Sequence, residues 1–563
     1  MNPINGTSGN DLLTGSAGDD AVDGLGGFDR FETAGTSAGM HVSLDANGRW
    51  ILNGAQDSDY LANIEQIDLS AETLWLGRNE FRVNTTVTDS QIAPTVAALR
   101  GGGWVIAWIS YLQDGDGWGV YAQRYDRSGA PVGAETLVNT STAGQQGNVA
   151  VEALADGGYV AVWRNWVTEG GISSQRFDSA GLPVGGELRV NSASGTYQQG
   201  LPAVAVHPDG GWVVTWTSHM QDGSGDGVYL QHFDSAGMPV GPETRVNTTT
   251  VNHQSQADLT CLHDGSWVVI WTSWGGQDGS GAGIYAQRYD SSGIPVGGET
   301  RINATTEGDQ FAPCVATLTN GDYLVAWGSS GLGGAGPGIY TQRYDGAGVP
   351  VGSEVRIDAT EVSLYRGSYA LAALADGGYA VTWSQYPDEG GSGAVYVQQY
   401  DHNGTLVEGP LLLSTTTTGD QGDTAIAGLP DGGWIGTWDS NLLEGSIGST
   451  DVFARHVAGD GVAGGRFNGQ DSGVNTLNGG AVLIFSAPGD NTALFSGNQS
   501  VELQGRSGDD TLQGGAGNDL LWGGSGDDAI YGGAGLDLAA LVGAASNYTL
   551  SFSGDNLMVA DKT

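Results

Sequence analysis

Seven tryptophans, Trp108, Trp163, Trp216, Trp271, Trp327, Trp383 and Trp438, recur at gaps of 55, 53, 55, 56, 56 and 55 residues. Each closes a variant of one phrase: GGGWVIAW, DGGYVAVW, DGGWVVTW, DGSWVVIW, NGDYLVAW, DGGYAVTW, DGGWIGTW. A period this long and this regular means one supersecondary unit copied seven times, and each copy buries its apolar faces against its neighbours.

The copy ending near residue 303 reads as four short strands. QADLTCL is partly alternating, HDG is a turn, and SWVVIW is β-branched and aromatic. A Gly/Asp loop, SWGGQDGSGAG, leads to IYAQRYD, which alternates. SSGIPVGGE supplies turn residues before TRIN. No stretch has helical periodicity. Seven such units packed radially predict an all-β, seven-bladed β-propeller with short, protected edges. Its ends match. NEFRVN at Asn79–Asn84 repeats the fourth-strand phrases AETLVN (Ala134–Asn139) and PETRVN (Pro242–Asn247), while the last unit loses the pattern after its third strand, DVFARHV. The N-terminal strand is therefore expected to complete blade seven. An open array of β units is the alternative.

The flanks carry a second repeat. Gly6–Glu32 reads GTSGNDLLT, GSAGDDAVD, GLGGFDRFE, and Gly505–Ala540 reads GRSGDDTLQ, GGAGNDLLW, GGSGDDAIY, GGAGLDLAA. Both follow G-G-x-G-x-D-x-U-x with U apolar. Glycines turn the chain and present carbonyls, the apolar residue packs inward, and the aspartates Asp11, Asp20, Asp29, Asp510, Asp519, Asp528 and Asp537 sit at the turns. Hard oxygen donors of this kind suit Ca²⁺. A flexible linker would not keep apolar residues at a nine-residue period.

These segments resemble the RTX, or hemolysin-type, calcium-binding proteins of bacteria. The likeness extends to VSLDANGRW…LANIEQIDLS and NYTLSFSGDNLMVADKT, which look like sheets capping such rolls. It implies parallel β-rolls, one Ca²⁺ between turns two repeats apart, and export by type I secretion on an uncleaved C-terminal signal. Three repeats would give about one complete site and four about two. Thr7, Ser16 and Leu25 replace the second glycine of the first roll, which puts its calcium affinity in question. The domains expected are an N-terminal RTX module over 1–78, the propeller over 79–465 and a C-terminal RTX module over 466–563. The second capping phrase stops at VADKT, so further chain is expected beyond Thr563.

Charge narrows the partners. With 63 acidic against 20 basic residues and net charge −43, the surface repels phosphate backbones and anionic lipid, which argues against nucleic acid and membrane binding. The same repulsion would hold the rolls unfolded until calcium neutralises them. The single lysine, Lys562, leaves the propeller no Schiff-base chemistry. Cys261 and Cys314 lie ten and thirteen residues before their blade's tryptophan, hence on opposite strand faces, and read as two small buried thiols. MNPINGTSGNDLL has neither basic region nor apolar core, and no 18-residue apolar run occurs.

Strand order puts the near-constant 1–2 and 3–4 turns on one face. The opposite face collects the linkers and the divergent loops after each repeated tryptophan, where Trp118, Trp166, Trp274, Tyr111 and Tyr386 stand. Aromatic rings beside Asp, Asn and Gln suit a sugar surface; packing between blades would use the same residues. Asp222-Gly-Ser-Gly-Asp226-Gly resembles the start of a calcium loop, with a Gly/Asp turn as the other reading. Gln91, Gln146, Gln199, Gln254, Gln310 and Gln421, with Arg366 in blade six, stand seventeen residues before each tryptophan. They are either a binding ring at the channel mouth or amides that satisfy backbone between blades. Asp126, Asp178, Asp234, Asp290, Asp345 and Asp401 open D-x-x-G-x-[PL]-V turns and read as caps. The eight histidines fall at unrelated repeat positions, and no H-E-x-x-H occurs. Gly35-Thr-Ser37-Ala-Gly39 precedes no helix and is expected by chance at this glycine content.

Three functions fit: a secreted calcium-dependent protein binding an extracellular glycan or cell-surface ligand, a self-associating surface-layer or matrix component, and a polysaccharide-acting enzyme. The balance leans away from the enzyme, since no acid/base pair stands out among so many carboxylates.

Overall fold

The computed structural model describes residues 81–458 apart from 128, 167–170, 193–197, 332–336, 358–367, 386–392, 415–419, 431–432 and 442–449. Beyond these it describes the backbone of short flanking strands and a few side chains within 511–532. One compact unit comprises Glu80–Ser128 and Val132–Arg455; the other holds Met1–Asn79, Gly129–Pro131 and His456–Thr563.

The first unit is a seven-bladed propeller. Blade one is an antiparallel meander of Gln91–Ala98, Trp104–Tyr111, Trp118–Tyr125 and Pro131–Leu137, and five further sheets repeat its order. The inner strands touch in sequence round the axis, and Gln91–Ala98 meets blade seven's Gln421–Gly428, so the ring is closed. Second strands read as continuous apolar runs because both faces are covered: all of Trp104–Ser110 is buried. Alternate residues face opposite neighbours, and the repeated tryptophan always faces the blade before it. Trp163 packs with Val105, Ala107 and Ile109, and Trp271 with Val213, Val228 and Leu230. In blades one, three, four, six and seven the indole also stacks on a third-strand ring of its own blade, as Trp108 on Tyr121 or Trp271 on Tyr285, whereas Trp163 stands opposite Ser173.

Closure is as the sequence leads one to expect. Phe81–Arg82 pairs antiparallel with Asp451–Ala458 as the fourth strand of blade seven, Phe81 opposite Ala454. The joint is made by Asn84. Its Oδ1 accepts the Val452 amide, and its Nδ2 donates to Asp451, to the Thr86 carbonyl and to Oε1 of Gln91. Asn139, Asn247 and Asn303 repeat this elbow, each accepting a third-strand amide of its own blade and donating to the glutamine that opens the next. In blade six Ser414 Oγ receives the equivalent amide, from Val395.

The outer edges differ from the protected edges expected. Fourth strands such as Pro239–Arg245 and Pro295–Arg301 are largely exposed. They are instead made irregular. A register shift separates Leu230 and His232 on the neighbouring strand, Gly241 bends at φ 72, and the buried Gln231 amide donates to the Val240 and Gly241 carbonyls. The bulge twists the edge away from straight pairing with another chain.

In the flanking unit, strands pair in parallel with partners two nonapeptides on: Thr511 with Ala529, Leu520 with Leu538, Leu12 with Arg30. Strands therefore alternate between two sheets, and Leu512, Leu521 and Ile530, the apolar position of successive repeats, are buried.

Asn84→Ala removes one acceptor and three donated bonds from a closed interior, so unfolding free energy should fall by about 2–4 kcal/mol at saturating calcium. Asn84→Ser should cost less than half of this, because the shorter hydroxyl keeps the amide bond that Ser414 makes. Urea melts followed by tryptophan fluorescence check both.

Candidate functional site

The face opposite the tight turns is organised by one repeat position, three residues after each repeated tryptophan. It holds Tyr111, Trp166, His219, Trp274, Ser330, Tyr386 and Asn441. Each backbone amide described here donates to the linker just before an inner strand: Tyr111 to Ser90, Trp166 to Gln145, His219 to Gln198, Trp274 to His253, Ser330 to Asp309 and Asn441 to Asp420. These residues therefore stand at one level around the channel mouth. Four of the five aromatics picked out in the sequence share this position. The shared offset is readable in the sequence; the amide bond that ties this position to the linker is seen only in the fold.

The rings differ in what holds them. Tyr111 ends a strand and Trp118 opens the next, directly opposite, so neither stands in a loop; their rings are 5.1 Å apart. Tyr111 is 38% exposed and Trp166 is 41% exposed. Trp166 lies 4.2 Å over the Arg164 guanidinium, which is itself half-buried. Trp274 is half-buried and donates its indole N–H to Ser255. Tyr386 and Arg366 lie outside the described residues. An exposed tyrosine–tryptophan pair on blade one and a cation-backed tryptophan on blade two offer flat apolar faces beside polar rims.

The glutamines do not face a ligand. Gln91, Gln146, Gln199, Gln254, Gln310 and Gln421 are at most 2% exposed. Gln146 Oε1 accepts from Asn139 and its amide donates to the Ala143 carbonyl; Gln421 accepts the Trp438 indole N–H. They serve the linkers. The D-x-x-G aspartates are caps, Asp234 accepting the Ala236 and Met238 amides. Asp226 also departs from expectation. Its two oxygens face His219 Nδ1 at 2.8 Å and His253 Nδ1 at 2.9 Å, while Asp222 Oδ1 takes the Ser224 amide. As placed, the Asp222–Asp226 segment is a turn leading into a His–Asp–His cluster. The two cysteines are free and half-buried, less covered than expected, and burial pushes the Cys261 thiol up to about 12.

Below the mouth, the channel holds carboxyl groups that sequence reasoning did not single out. Burial, then the nearby Asp423, raises Asp439 to about 7, and Asp439 accepts the Ala93 amide of blade one. Burial raises Glu152 to about 7 and Asp258 to about 6. Asp258 of blade four adds to the rise at Glu152 of blade two, after burial, and both stand on inner strands. Only departures from the repeat register could have marked these residues.

In the RTX segments, Asp510 and Asp528 immediately precede in sequence Thr511 and Ala529, which pair in parallel. The donors there are carboxylates and glycine carbonyls, which fit Ca²⁺. The side chains of Asp11, Asp20, Asp29, Asp510, Asp519, Asp528 and Asp537 lie outside the described residues, and only the backbone of Asp20, which opens the strand Asp20–Asp23, is placed. A family model for the RTX calcium-binding nonapeptide repeat matches residues 2–31 and 504–539. The chain carries RTX calcium-binding repeats at both ends. No curated protein matches it by sequence.

Among solved structures, a protein of unknown function from Dyadobacter fermentans DSM 18053 is 11% identical, with TM-score 0.42, over 67% of this RTX-repeat chain and 97% of that one. An α-L-arabinanase from Penicillium chrysogenum complexed with arabinobiose is 13% identical, with TM-score 0.39, over 68% and 98%. The NanB sialidase from Streptococcus pneumoniae is 9% identical, with TM-score 0.36, over 66% and 69%. At these scores the likenesses say nothing of ligand or activity.

The channel carboxyls set a pH dependence. A carboxyl whose folded value is raised holds its proton in the fold while the unfolded chain, titrating near 4, has released it. Stability therefore falls as pH rises from about 4 to about 7 and levels off above. Asp439→Asn keeps the acceptor for Ala93 without the charge. It should exceed the wild type by up to about 4 kcal/mol at pH 8, with the gap shrinking at pH 5, in urea melts at saturating calcium.

Proposed function

We propose that this chain is a secreted, calcium-dependent binding protein whose propeller takes an extracellular glycan on its loop face. The observation that carries this reading is the ring of Tyr111, Trp166 and Trp274 at one repeat position, with Trp118 against Tyr111. Such rings stack on the C–H faces of sugars while Asp, Asn and Gln nearby take hydroxyls. The RTX aspartates hold Ca²⁺ between turns two repeats apart, and calcium folds the rolls once the chain leaves the cell by type I secretion. No helix among the described residues is long and apolar enough to cross a membrane. The net charge of −43 disfavours nucleic acid as partner.

Glycan-array screening in millimolar calcium, followed by calorimetry on the best ligand, tests the glycan reading. Trp166→Ala should weaken binding at least tenfold, about 1.4 kcal/mol, without lowering stability by more than about 1 kcal/mol. An array without hits, or a hit indifferent to Trp166, Tyr111 and Trp118 alike, removes the glycan reading. Reducing-end release from a bound polysaccharide would make the protein an enzyme instead.

A second reading rests on the outer edges. Val132, Val184, Val240, Val296, Val351 and Val407 are 41–55% exposed at one repeat position of successive fourth strands. A second copy could add to such an edge, which favours a self-assembling surface component. Sedimentation velocity in EGTA and then in millimolar calcium separates the two. The binding reading expects a faster-sedimenting, compact monomer in calcium; large calcium-dependent assemblies favour the second; no response to calcium removes the calcium argument from both.

A further inference from the structure

Blade three departs from its sisters at two positions, and the fold brings those two together. At the end of the inner strand six blades bury a leucine (Leu99, Leu154, Leu262, Leu318, Leu374 and Leu429); blade three has His207. On the third strand, blades one, two, four and five carry Arg124, Arg176, Arg288 and Arg343; blade three has His232. Arg176 shows the ordinary arrangement: it pairs at 2.5 Å with Asp156 of its own 1–2 turn and reaches the Ser235 carbonyl of the next blade. In blade three the matching turn residue is Asp209, and two imidazoles replace the guanidinium and the leucine.

We propose that His207, Asp209 and His232 form a binding site for a divalent transition metal ion of the Zn²⁺ class, on the tight-turn face of the propeller. One ligand atom from each residue lies within 4.8 Å of the other two. His207 is 94% buried. Its Nε2 lies 2.8 Å from the Gly265 carbonyl oxygen, an acceptor, so Nε2 donates there and Nδ1 is the nitrogen turned toward Asp209. That Nδ1 stands 2.8 Å from Asp209 Oδ1. The Gly265 bond is the outer-shell contact that fixes tautomer and orientation in metal-bound histidines.

His232 supplies the second nitrogen. Its Nε2 is shut from solvent and meets no hydrogen-bond partner, an unfavourable state for a buried polar atom. The two ring centres are 5.5 Å apart, and both pack on Trp267 of blade four, His207 edge-on. Two imidazoles sharing a tetrahedral ion about 2.0–2.1 Å from each nitrogen place their centres about 5 Å apart. A single cation would take the place of any proton between Nδ1 and Asp209, give His232 Nε2 its missing partner and balance the Asp209 charge. Two nitrogens and one carboxylate leave a fourth position for water, and Asp209, with a side chain 54% exposed, opens the site to it. Imidazole donors select this class over Ca²⁺, so the site is chemically separate from the RTX repeats.

The test is calorimetric titration of ZnCl₂ into chelator-treated full-length protein held in millimolar CaCl₂, with Co²⁺ absorption as a second readout. One high-affinity equivalent and the visible bands of four-coordinate Co²⁺ are expected. The double variant His207→Leu, His232→Arg restores the residues that blades one, two, four and five carry and should fold, which its urea midpoint in calcium checks. It should lose that equivalent or bind at least about 100-fold more weakly. His219→Asn with His253→Asn removes the histidines around Asp226 on the opposite face and should leave the equivalent intact. Absence of Zn²⁺ binding by the wild type overturns the proposal, as does binding that survives in the first double variant and vanishes in the second. Should the first double variant fail to fold, His232→Gln, which keeps His207 and its bond to Gly265, gives the same reading.

Discussion

The propeller depends on an asparagine that joins two blades at once. After each outer strand the chain must cross back to the axis, and the crossing leaves amides and carbonyls without ladder partners. Asn139 takes the Val120 amide of its own blade and donates to the Gln146 side chain of the next. A fourth-strand glutamate then closes the linker from outside: Glu187 receives the Thr140 and Ser141 amides, and Glu299 those of Thr248 and Thr249. Buried polar networks are stabilising only when every member is satisfied, so this one dictates the angle between blades as well as their attachment. At the closing joint, Asn84 performs across the two ends of the propeller what its counterparts perform along the chain.

A frame held this way lets the loop face vary. Among the described residues, the one three places after each repeated tryptophan is anchored by its backbone to the linker that enters its own blade, whatever its side chain. Sequence can change there from Tyr111 to His219 or Ser330 without disturbing the sheet, and the channel mouth becomes a place where recognition can be rewritten. The channel below carries its own cost. Asp439 is buried and Glu152 and Asp258 are half-buried; all three carboxyls weaken the fold as they ionise, and such perturbed groups are enriched where chemistry or recognition uses them.

Much of this was legible in the residues because repetition averages away noise. The tryptophan spacing placed every second strand, and NEFRVN anticipated the closing strand, since both signals rest on apolar packing that recurs at each copy. The U positions of the nonapeptide, Leu512, Leu521 and Ile530, are buried as the pattern requires. Polar side chains were read less well. A glutamine at the start of an inner strand looks the same whether it lines a mouth or turns into a linker, and only its partner asparagine seven residues earlier decides it. Asp226 shows a related gap: its neighbours His219 and His253 are near it only in the fold, so the spacing of its own loop does not announce them. His207 and His232 were passed over because a search for fixed spacings ignores positions in a repeat.

Charge weighs on the choice between recognition and assembly. Bound calcium would neutralise only a small part of the net charge of −43: about three ions in the rolls would remove about six charges. At physiological salt such charges repel mainly within about 8 Å, the range in which two blade edges would have to meet. The exposed valines there sit on strands already bent by Gly241 and its counterparts, and bent strands present few aligned amides to a second copy. Edge pairing therefore needs an added cation between the acidic surfaces, whereas a neutral sugar meeting Tyr111, Trp118 and Trp166 needs none. On physical grounds the loop face is the better surface for a partner, and the outer edge becomes one only where divalent cations are concentrated enough to bridge it.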